Sequence, residues 1–508
     1  MEHIVAALPM AFDVYVIGVA VAGLLIGIVI GAIPGLNVPL AVAITLPITF
    51  NLQPLAGLAM LVGIYKGGTY GGSLSAILIN VPGTPSAAAT VFDGTPLARQ
   101  GKAGKALKMA LYASVIGELI SDLALIFFAL PLALVALKFG PAENFALAVF
   151  SLSLIAILSE AEMLKGLIAG AFGVFLSTFG VDPLTGDFRL TFGFDQLSAG
   201  WNFIALVMGV FAIAEAFSLV EQKIRRHAPA PVKRVRLSDP DHTLTADDWR
   251  RSASAIMQTA PIGVAIGALP AIGSATSALV SYGVARSFAK EPERFGRGAI
   301  EGIAAAETGC GASTSSSFIP LLTLGIPGDV VTAIMLGAFM VHGLVPGPSL
   351  FRDSADFITA FFIIMLLTTL LHLIVARAGM TLFIQSIRLP NEVLFPIVVL
   401  LCFTGMYVES NSIFDLYVML GFGVLGYAMN KFGFPIAPLL IGFILGPLVE
   451  IGLRQALITS RGSPMIFLER PVSALFLGLT VTAMIWVGWR KWRTGAKPQE
   501  ATSEDRAH

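Results

Sequence analysis

Y-K-G-G-T-Y-G-G-S (Tyr65–Ser73), L-S-A-I-L-I-N-V-P-G-T-P (Leu74–Pro85) and S-A-A-A-T-V-F-D-G-T-P (Ser86–Pro96) run together inside a strongly apolar region. The stretch is full of residues that a membrane helix should avoid. Gly67, Gly68, Gly71 and Gly72 loosen the backbone, Pro82 and Pro85 remove donors, and Lys66, Asn80 and Thr84 place polar groups at depth. In hydrocarbon each unpaired peptide group costs several kcal/mol, so irregular backbone survives only inside protein or beside a wet cavity. Short apolar segments broken by Gly and Pro at matching places in two halves of a chain are the best sequence pointer to a transporter's binding site.

The surrounding composition sets the class. Of 508 residues, 56% are hydrophobic and 13% charged, with mean hydropathy +0.83. Soluble domains carry about 25% charged residues, so the chain reads as an all-α polytopic membrane protein. Lys+Arg (32) balances Asp+Glu (32), which favours neither nucleic acid nor an acidic partner. Cys310 and Cys402 form no disulfide framework or zinc pattern. The N-terminal M-E-H-I-V-A-A-L-P-M lacks a basic n-region, so the first apolar run is expected to stay as a membrane segment. Several apolar runs, among them 36–50, 272–285 and 329–341, are too short to span. Read as half-helices or re-entrant pieces, they leave roughly 12 crossings.

The two halves repeat. G-A-I-P (31–34) matches G-A-L-P (267–270), and the Pro-Gly of N-V-P-G-T-P (82–83) matches that of G-I-P-G-D (327–328). A-E-N-F (142–145) matches N-E-V-L (391–394), and F-G-V-F (172–175) matches F-G-V-L (422–425). The offsets drift slowly from 236 to 250, as a duplicated unit with small insertions would. Expected boundaries are 1–220 for repeat 1, 221–251 for a cytoplasmic linker, 252–489 for repeat 2 and 490–508 for a cytoplasmic tail.

Charge suggests inverted topology. Loop 97–108 holds Arg99, Lys102, Lys105 and Lys108 without an acid, whereas its counterpart 342–353 holds only Arg352 beside Asp353. Conversely, 286–297 is basic and its counterpart near 50–61 is uncharged. Lys and Arg collect on the cytoplasmic side of short loops, so equivalent loops carry opposite signatures. The acidic loop 181–200 then lies outside.

Candidate chemistry gathers at the repeated motifs. Gly67–Ser73 and Asn80–Pro85 are expected to bracket a short helix in one half. E-T-G-C-G-A-S-T-S-S-S (307–317) and G-I-P-G-D (325–329) do the same in the other. Half-helix N-termini aimed at the midplane would offer free N–H groups to an anion. The hydroxyls of Thr69, Thr84 and Ser313–Ser317 suit a hard cation. The plainer reading is that small residues let helices pack closely. Ionisable groups at this depth are functional hypotheses by default. Lys66 either neutralises a substrate carboxylate or partners Glu307. Glu118 and Asp122 share one helix face and either bind a coupling cation or proton, or line a polar seam. Asp93 and Asp329 are explained equally well as helix caps. His342 and His372 read as structural. Lys105 is followed by Ala, so Walker A fails, and H-E-x-x-H is absent.

The K-G-G-T-Y-G-G-S…N-V-P-G-T-P…D-G pattern (66–94), with G-A-I-P-G-L-N (31–37) and E-T-G-C-G-A-S…G-I-P-G-D (307–329), resembles the large permease subunit of the tripartite tricarboxylate transporters. The likeness covers essentially the whole chain. It implies a secondary-active importer in the bacterial inner membrane, multi-pass, moving citrate-like di- or tricarboxylates on an ion gradient. A small four-helix membrane subunit and a periplasmic solute-binding protein are the implied partners. Substrate contact is thereby expected at Asn37, Lys66, Gly67, Gly68, Thr69, Tyr70, Gly71, Gly72, Ser73, Asn80, Pro82, Gly83, Thr84 and Pro85. In the second half it is expected at Ser313, Thr314, Ser315, Ser316, Ser317, Pro327, Gly328 and Asp329. Glu118, Asp122 and Glu307 are the coupling-ion candidates, for Na⁺ or H⁺. No organic cofactor, resident metal, catalytic residue or nucleic acid is expected. A membrane-embedded lipid-modifying enzyme and a passive channel are the competing readings, and elevator motion is an analogy with other inverted-repeat carriers.

Overall fold

The computed structural model describes residues 2–158, 163–224, 243–270, 272–387 and 391–493. In chain order the first helices are α1 (Glu2–Ala11), α2 (Val14–Ala32), α3 (Val38–Thr49), α4 (Pro54–Ile79), α5 (Ala88–Leu97) and α6 (Ala103–Ala136). Left-handed Gly101 (φ 85°) separates α5 from α6. After α7 (Pro141–Leu158) and α8 (Met163–Leu176), β1 (Gly180–Val181) pairs antiparallel with β2 (Phe188–Arg189). α9 (Phe203–Val207) passes through a π-helical turn into α10 (Ala214–Ile224). The second half continues with α11 (Ala246–Ala268), α12 (Gly273–Phe288), α13 (Ile300–Ser316), α14 (Phe318–Leu324), α15 (Val330–Val341) and α16 (Leu350–Asp353). It ends with α17 (Ala355–Ser386), α18 (Asn391–Ser410), α19 (Ile413–Lys431), α20 (Ile436–Thr459), α21 (Ile466–Glu469) and α22 (Pro471–Arg493).

The chain is an all-α polytopic membrane protein. Among the described residues, six helical segments are long and apolar enough to span a bilayer: Val14–Ala32, Pro85–Ala136, Phe203–Glu221, Ala355–Ser386, Ile413–Lys431 and Ile436–Thr459. Helix α4 is absent from that set because its glycines, lysine and hydroxyls lower its hydropathy, though 23 of its residues, Leu55 to Ile77, are buried. Helix α10 reaches Ile224 and α11 starts at Ala246; residues 225–242, the greater part of the expected linker 221–251, lie outside the described residues. Likewise α22 runs past 490 to Arg493, and 494–508 lie outside.

Contacts divide the chain into two units. Unit 1 holds Met1–Lys138, Phe179–Val181 and Asp187–Ile436; unit 2 holds Phe139–Thr178, Asp182–Gly186 and Ala437–His508. Within unit 1, α2 crosses α4 at backbone distance. A Cβ on Gly27 would strike Ile64, and one on Gly31 would strike the Gly68 carbonyl. In the same unit α11 crosses α13 alike, with Gly263 on Gly309 and Gly267 on Ser313. Small residues that let backbones approach are the usual basis of helix association in lipid. Gly27 and Gly263 differ by 236, and their partners Ile64 and Gly309 by 245, the offsets of the two sequence matches. Farther on, Gly423 of α19 presses on Gly209 and Ile213, again in unit 1. Within unit 2, its sequence counterpart Gly173 of α8 presses on Leu439 of α20.

One end of unit 1 gathers three basic segments. Gln100 Nε2 donates to the Arg297 carbonyl at 2.8 Å, and Lys105 pairs with Asp248 at 2.7 Å. Asp93 Oδ1 accepts N–H groups from Gly296, Gly298 and Ala299 at 2.8 Å each, while Tyr282 donates to Oδ2. Asp93 is thus an anchor for the loop before α13 rather than a cap of its own helix.

Candidate functional site

The expected break at Gly67–Ser73 does not occur. Lys66, Gly67, Gly68, Thr69, Tyr70, Gly71, Gly72 and Ser73 lie in the middle of continuous α4. A Cβ on Gly67 would meet Leu24, and one on Gly71 would meet Ile28, so both serve the α2 crossing. The Thr69 hydroxyl donates to its own helix at the Tyr65 carbonyl. The second tract is nearly continuous as well, bending only at Ser317 between α13 and α14. There Ser313, Thr314, Ser316 and Ser317 donate to carbonyls one turn back; the Ser315 hydroxyl alone of the five has no partner. Asn37 caps α3 by accepting from Leu40 N at 2.9 Å.

Real interruptions fall at the two Pro-Gly loops. Helix α4 ends on Asn80, left-handed at φ 62°, and α14 ends on Gly325, left-handed at φ 71°. Gly83 N donates to the Gly72 carbonyl at 3.2 Å, and a Cβ on Gly83 would strike Gly31 and Ser75. A Cβ on Gly328 would strike Ser317. Asn80 and Gly325, Gly72 and Ser317, and Gly83 and Gly328 are each 245 apart, so the loops fold back on matching helical positions.

They end differently. Asp329 caps α15, accepting from Thr332 N at 2.8 Å, while Thr332 Oγ1 accepts from Asp329 N. Tyr65 donates its hydroxyl to Asp329 Oδ2. That carboxylate is held by its own helix and by α4. Thr84, at the matching position, makes no capping bond and shares a 3.0 Å hydrogen bond with Ser86. Asn80, Val81, Pro82 and Pro85 are exposed while Gly83 and Thr84 between them are buried; Ile326–Asp329 are all buried.

Beneath the loops runs a buried polar seam. Lys66 Nζ is fully enclosed and contacts both Asp122 oxygens at 2.9 Å, the Met365 carbonyl at 2.9 Å and Thr369 Oγ1 at 2.6 Å. Lys66 is therefore neither a partner of Glu307 nor free for a substrate, and Asp122 is its counter-ion. Burying such a pair is costly unless the remaining lone pairs are bonded, and Thr369 Oγ1 supplies that by donating to Asp122 Oδ2 at 2.6 Å. Glu307 on α13 accepts from Ser73 and Thr90 at 2.5 Å each and from Ser114 at 2.8 Å. Between these groups, Glu118 Oε2 lies 3.1 Å from His372 Nδ1 on α17. His372, taken from the sequence as structural, is thus paired with Glu118, a pairing the sequence reading did not give. The local signal is Thr368, Thr369 and His372 sharing one face within the apolar middle of α17. Among the described residues no group of three His, Cys, Asp or Glu could hold a metal ion.

The family model described as "Tripartite tricarboxylate transporter TctA family" matches residues 17–441. A protein of Agrobacterium vitis, described as "Uncharacterized 52.8 kDa protein in TAR-I ttuC' 3'region", is 39% identical over 463 residues, covering 91% of each chain. From the same organism, an "Uncharacterized protein in TAR-II ttuC' 3'region" is 39% identical over 223 residues, 44% of this chain and 92% of that one. No solved structure matches.

Proposed function

Because the chain belongs to the tripartite tricarboxylate transporter TctA family, we propose that it is the permease of a cation-coupled importer for di- and tricarboxylates in the bacterial inner membrane. The family is one of transporters rather than enzymes, and the chain is a multi-pass membrane component of such a system. In this reading the chain holds two inverted repeats with roughly 12 crossings. It receives solute from a periplasmic binding protein, works beside a small four-helix subunit and moves its binding core in an elevator manner. The coupling cation is held among the buried acids of unit 1.

One observation carries the reading. The α15 N-terminus already holds a carboxylate, that of Asp329, while the matching position at Thr84 holds none; Thr84 is buried, and Asn80–Pro82 and Pro85 around it are exposed. Helix N-termini favour anions through free N–H groups and the helix dipole. The solute carboxylate is placed at Asn80–Pro85, where it takes in one repeat the position that Asp329 takes in the other. The test is uptake of labelled citrate into proteoliposomes holding the permease and its small subunit, with binding protein outside. Saturable accumulation under an imposed Na⁺ or proton gradient supports the reading. Uptake that only equilibrates would make the protein a channel, and no uptake of any di- or tricarboxylate would overturn the substrate class.

A further inference from the structure

Ser114, Glu118 and Asp122 follow one another at intervals of four along α6, so they share one face and span about 12 Å. Both ends of this row are closed. Asp122 is neutralised by Lys66, and Ser114 feeds the hydroxyl cradle of Glu307. The middle is open. Glu118 Oε1, His372 Nε2, Tyr70 OH and Ser121 Oγ are all buried without a hydrogen-bond partner. Each belongs to a residue at most 1% exposed. The Tyr70 ring stands edge-on to the His372 ring, with centroids 5.5 Å apart.

Buried polar atoms are nearly always paired, and an exception needs a reason. Here two of the exceptions belong to the acid–imidazole pair itself, Tyr70 sets its ring against that of His372, and Ser121 lies three residues along α6 from Glu118. An alkali cation wants a shell of several oxygens, and one carboxylate beside an imidazole is a poor match for that. A proton needs only the pair itself, because an imidazole changes charge near neutrality and the orphaned atoms can order water that delivers it. We propose that the Glu118–His372 pair carries the coupling proton, which enters and leaves along water held by Glu118 Oε1, Ser121, Tyr70 and His372 Nε2.

The step balances simply. Unloaded, neutral His372 donates its Nδ1–H to the Glu118 carboxylate, and the pair carries one negative charge. A hydronium ion from one side gives its proton to Nε2 and leaves as water. The loaded pair is an imidazolium beside a carboxylate, with no net charge. Release to water on the other side reverses both changes. The titratable groups facing the pair are Lys66 and Tyr70 from α4, Asp122 from α6 itself, and Glu307 and Cys310 from α13. α2 turns only apolar and glycine residues inward, α14 bears no titratable group, and α1 meets α17 at its far end through His3 and Asp356. At the basic end α11 meets α6 through Asp248 and Lys105, and Arg377 of α17 takes the Tyr112 hydroxyl.

This inference rests on the cation-coupled reading above, so its test has one arm that needs no solute. In sodium-free proteoliposomes of the complex, an outside-acid pH gradient should drive accumulation of labelled citrate. Glu118→Gln and His372→Gln should each lose that accumulation while exchange of labelled for unlabelled citrate persists. In detergent, a difference-infrared pH titration of the purified permease should show an imidazole and carboxylate signal that both variants lack. If Glu118→Gln fails to fold, His372→Gln carries both arms. Sodium-driven uptake indifferent to the pH gradient, or a titration signal that survives both substitutions, overturns the proposal. Should the infrared signal vanish in the variants while no carboxylate is transported, the proton site stands and the substrate class falls.

Discussion

The loops around Pro82-Gly83 and Pro327-Gly328 use the same backbone device and come to opposite ends. Each follows a left-handed residue, Asn80 or Gly325, and each glycine sits where a Cβ would collide with the helix before it. In the second loop Asp329 closes the following helix and takes the Tyr65 hydroxyl, and the loop is buried. In the first, Thr84 closes nothing and Asn80–Pro82 stay exposed. In the proposed reading, the second helix start carries its own anion as a fixed joint, and the first is left for the solute.

The sharpest way to break that contrast is to make the first loop like the second. Thr84→Asp places a carboxylate where the solute is proposed to bind. It should abolish carboxylate uptake while membrane expression persists, with some loss in unfolding temperature because Thr84 is buried against Gly72, and normal uptake would refute the assignment. Removing the fixed anion should instead act on stability. Asp329→Ala loses a cap and strands the buried Tyr65 hydroxyl, a cost of about 2–4 kcal/mol, read as a lower thermal midpoint. Gly83→Ala and Gly328→Ala test the shared part of the device. Each should cost about 1–3 kcal/mol from overpacking, and similar losses in the two would sharpen the equivalence. A loss confined to one loop would show that the two glycines are not doing the same job.

Much of this was legible in the chain itself. Composition and mean hydropathy sufficed for an all-α membrane protein, and motif offsets located both Pro-Gly interruptions. The breaks expected at Gly67–Ser73 and around Ser313–Ser317 were misplaced because small residues that open a backbone in water close a helix crossing in lipid. Gly67 and Gly71 press on α2, and Gly309 and Ser313 receive α11. Pairings across the fold were beyond reach. Lys66 finds Thr369 some 303 positions away, and Glu118 finds His372 at 254. Nothing local to either residue announces its partner, so the sequence offers Glu307 rather than Asp122 as a partner for Lys66 and offers none for His372.

Asp93 bears on how the molecule is made. The peptide groups that satisfy its Oδ1 lie 203 to 206 residues downstream. At about 5–20 residues per second of synthesis, the ribosome needs roughly 10–40 s to deliver them. Through that interval the nascent first half sits in the bilayer with an acid awaiting its donors, while Glu118 waits longer still for His372. The two halves mature as one object, and a chain stopped before Gly296 would leave this joint unmade.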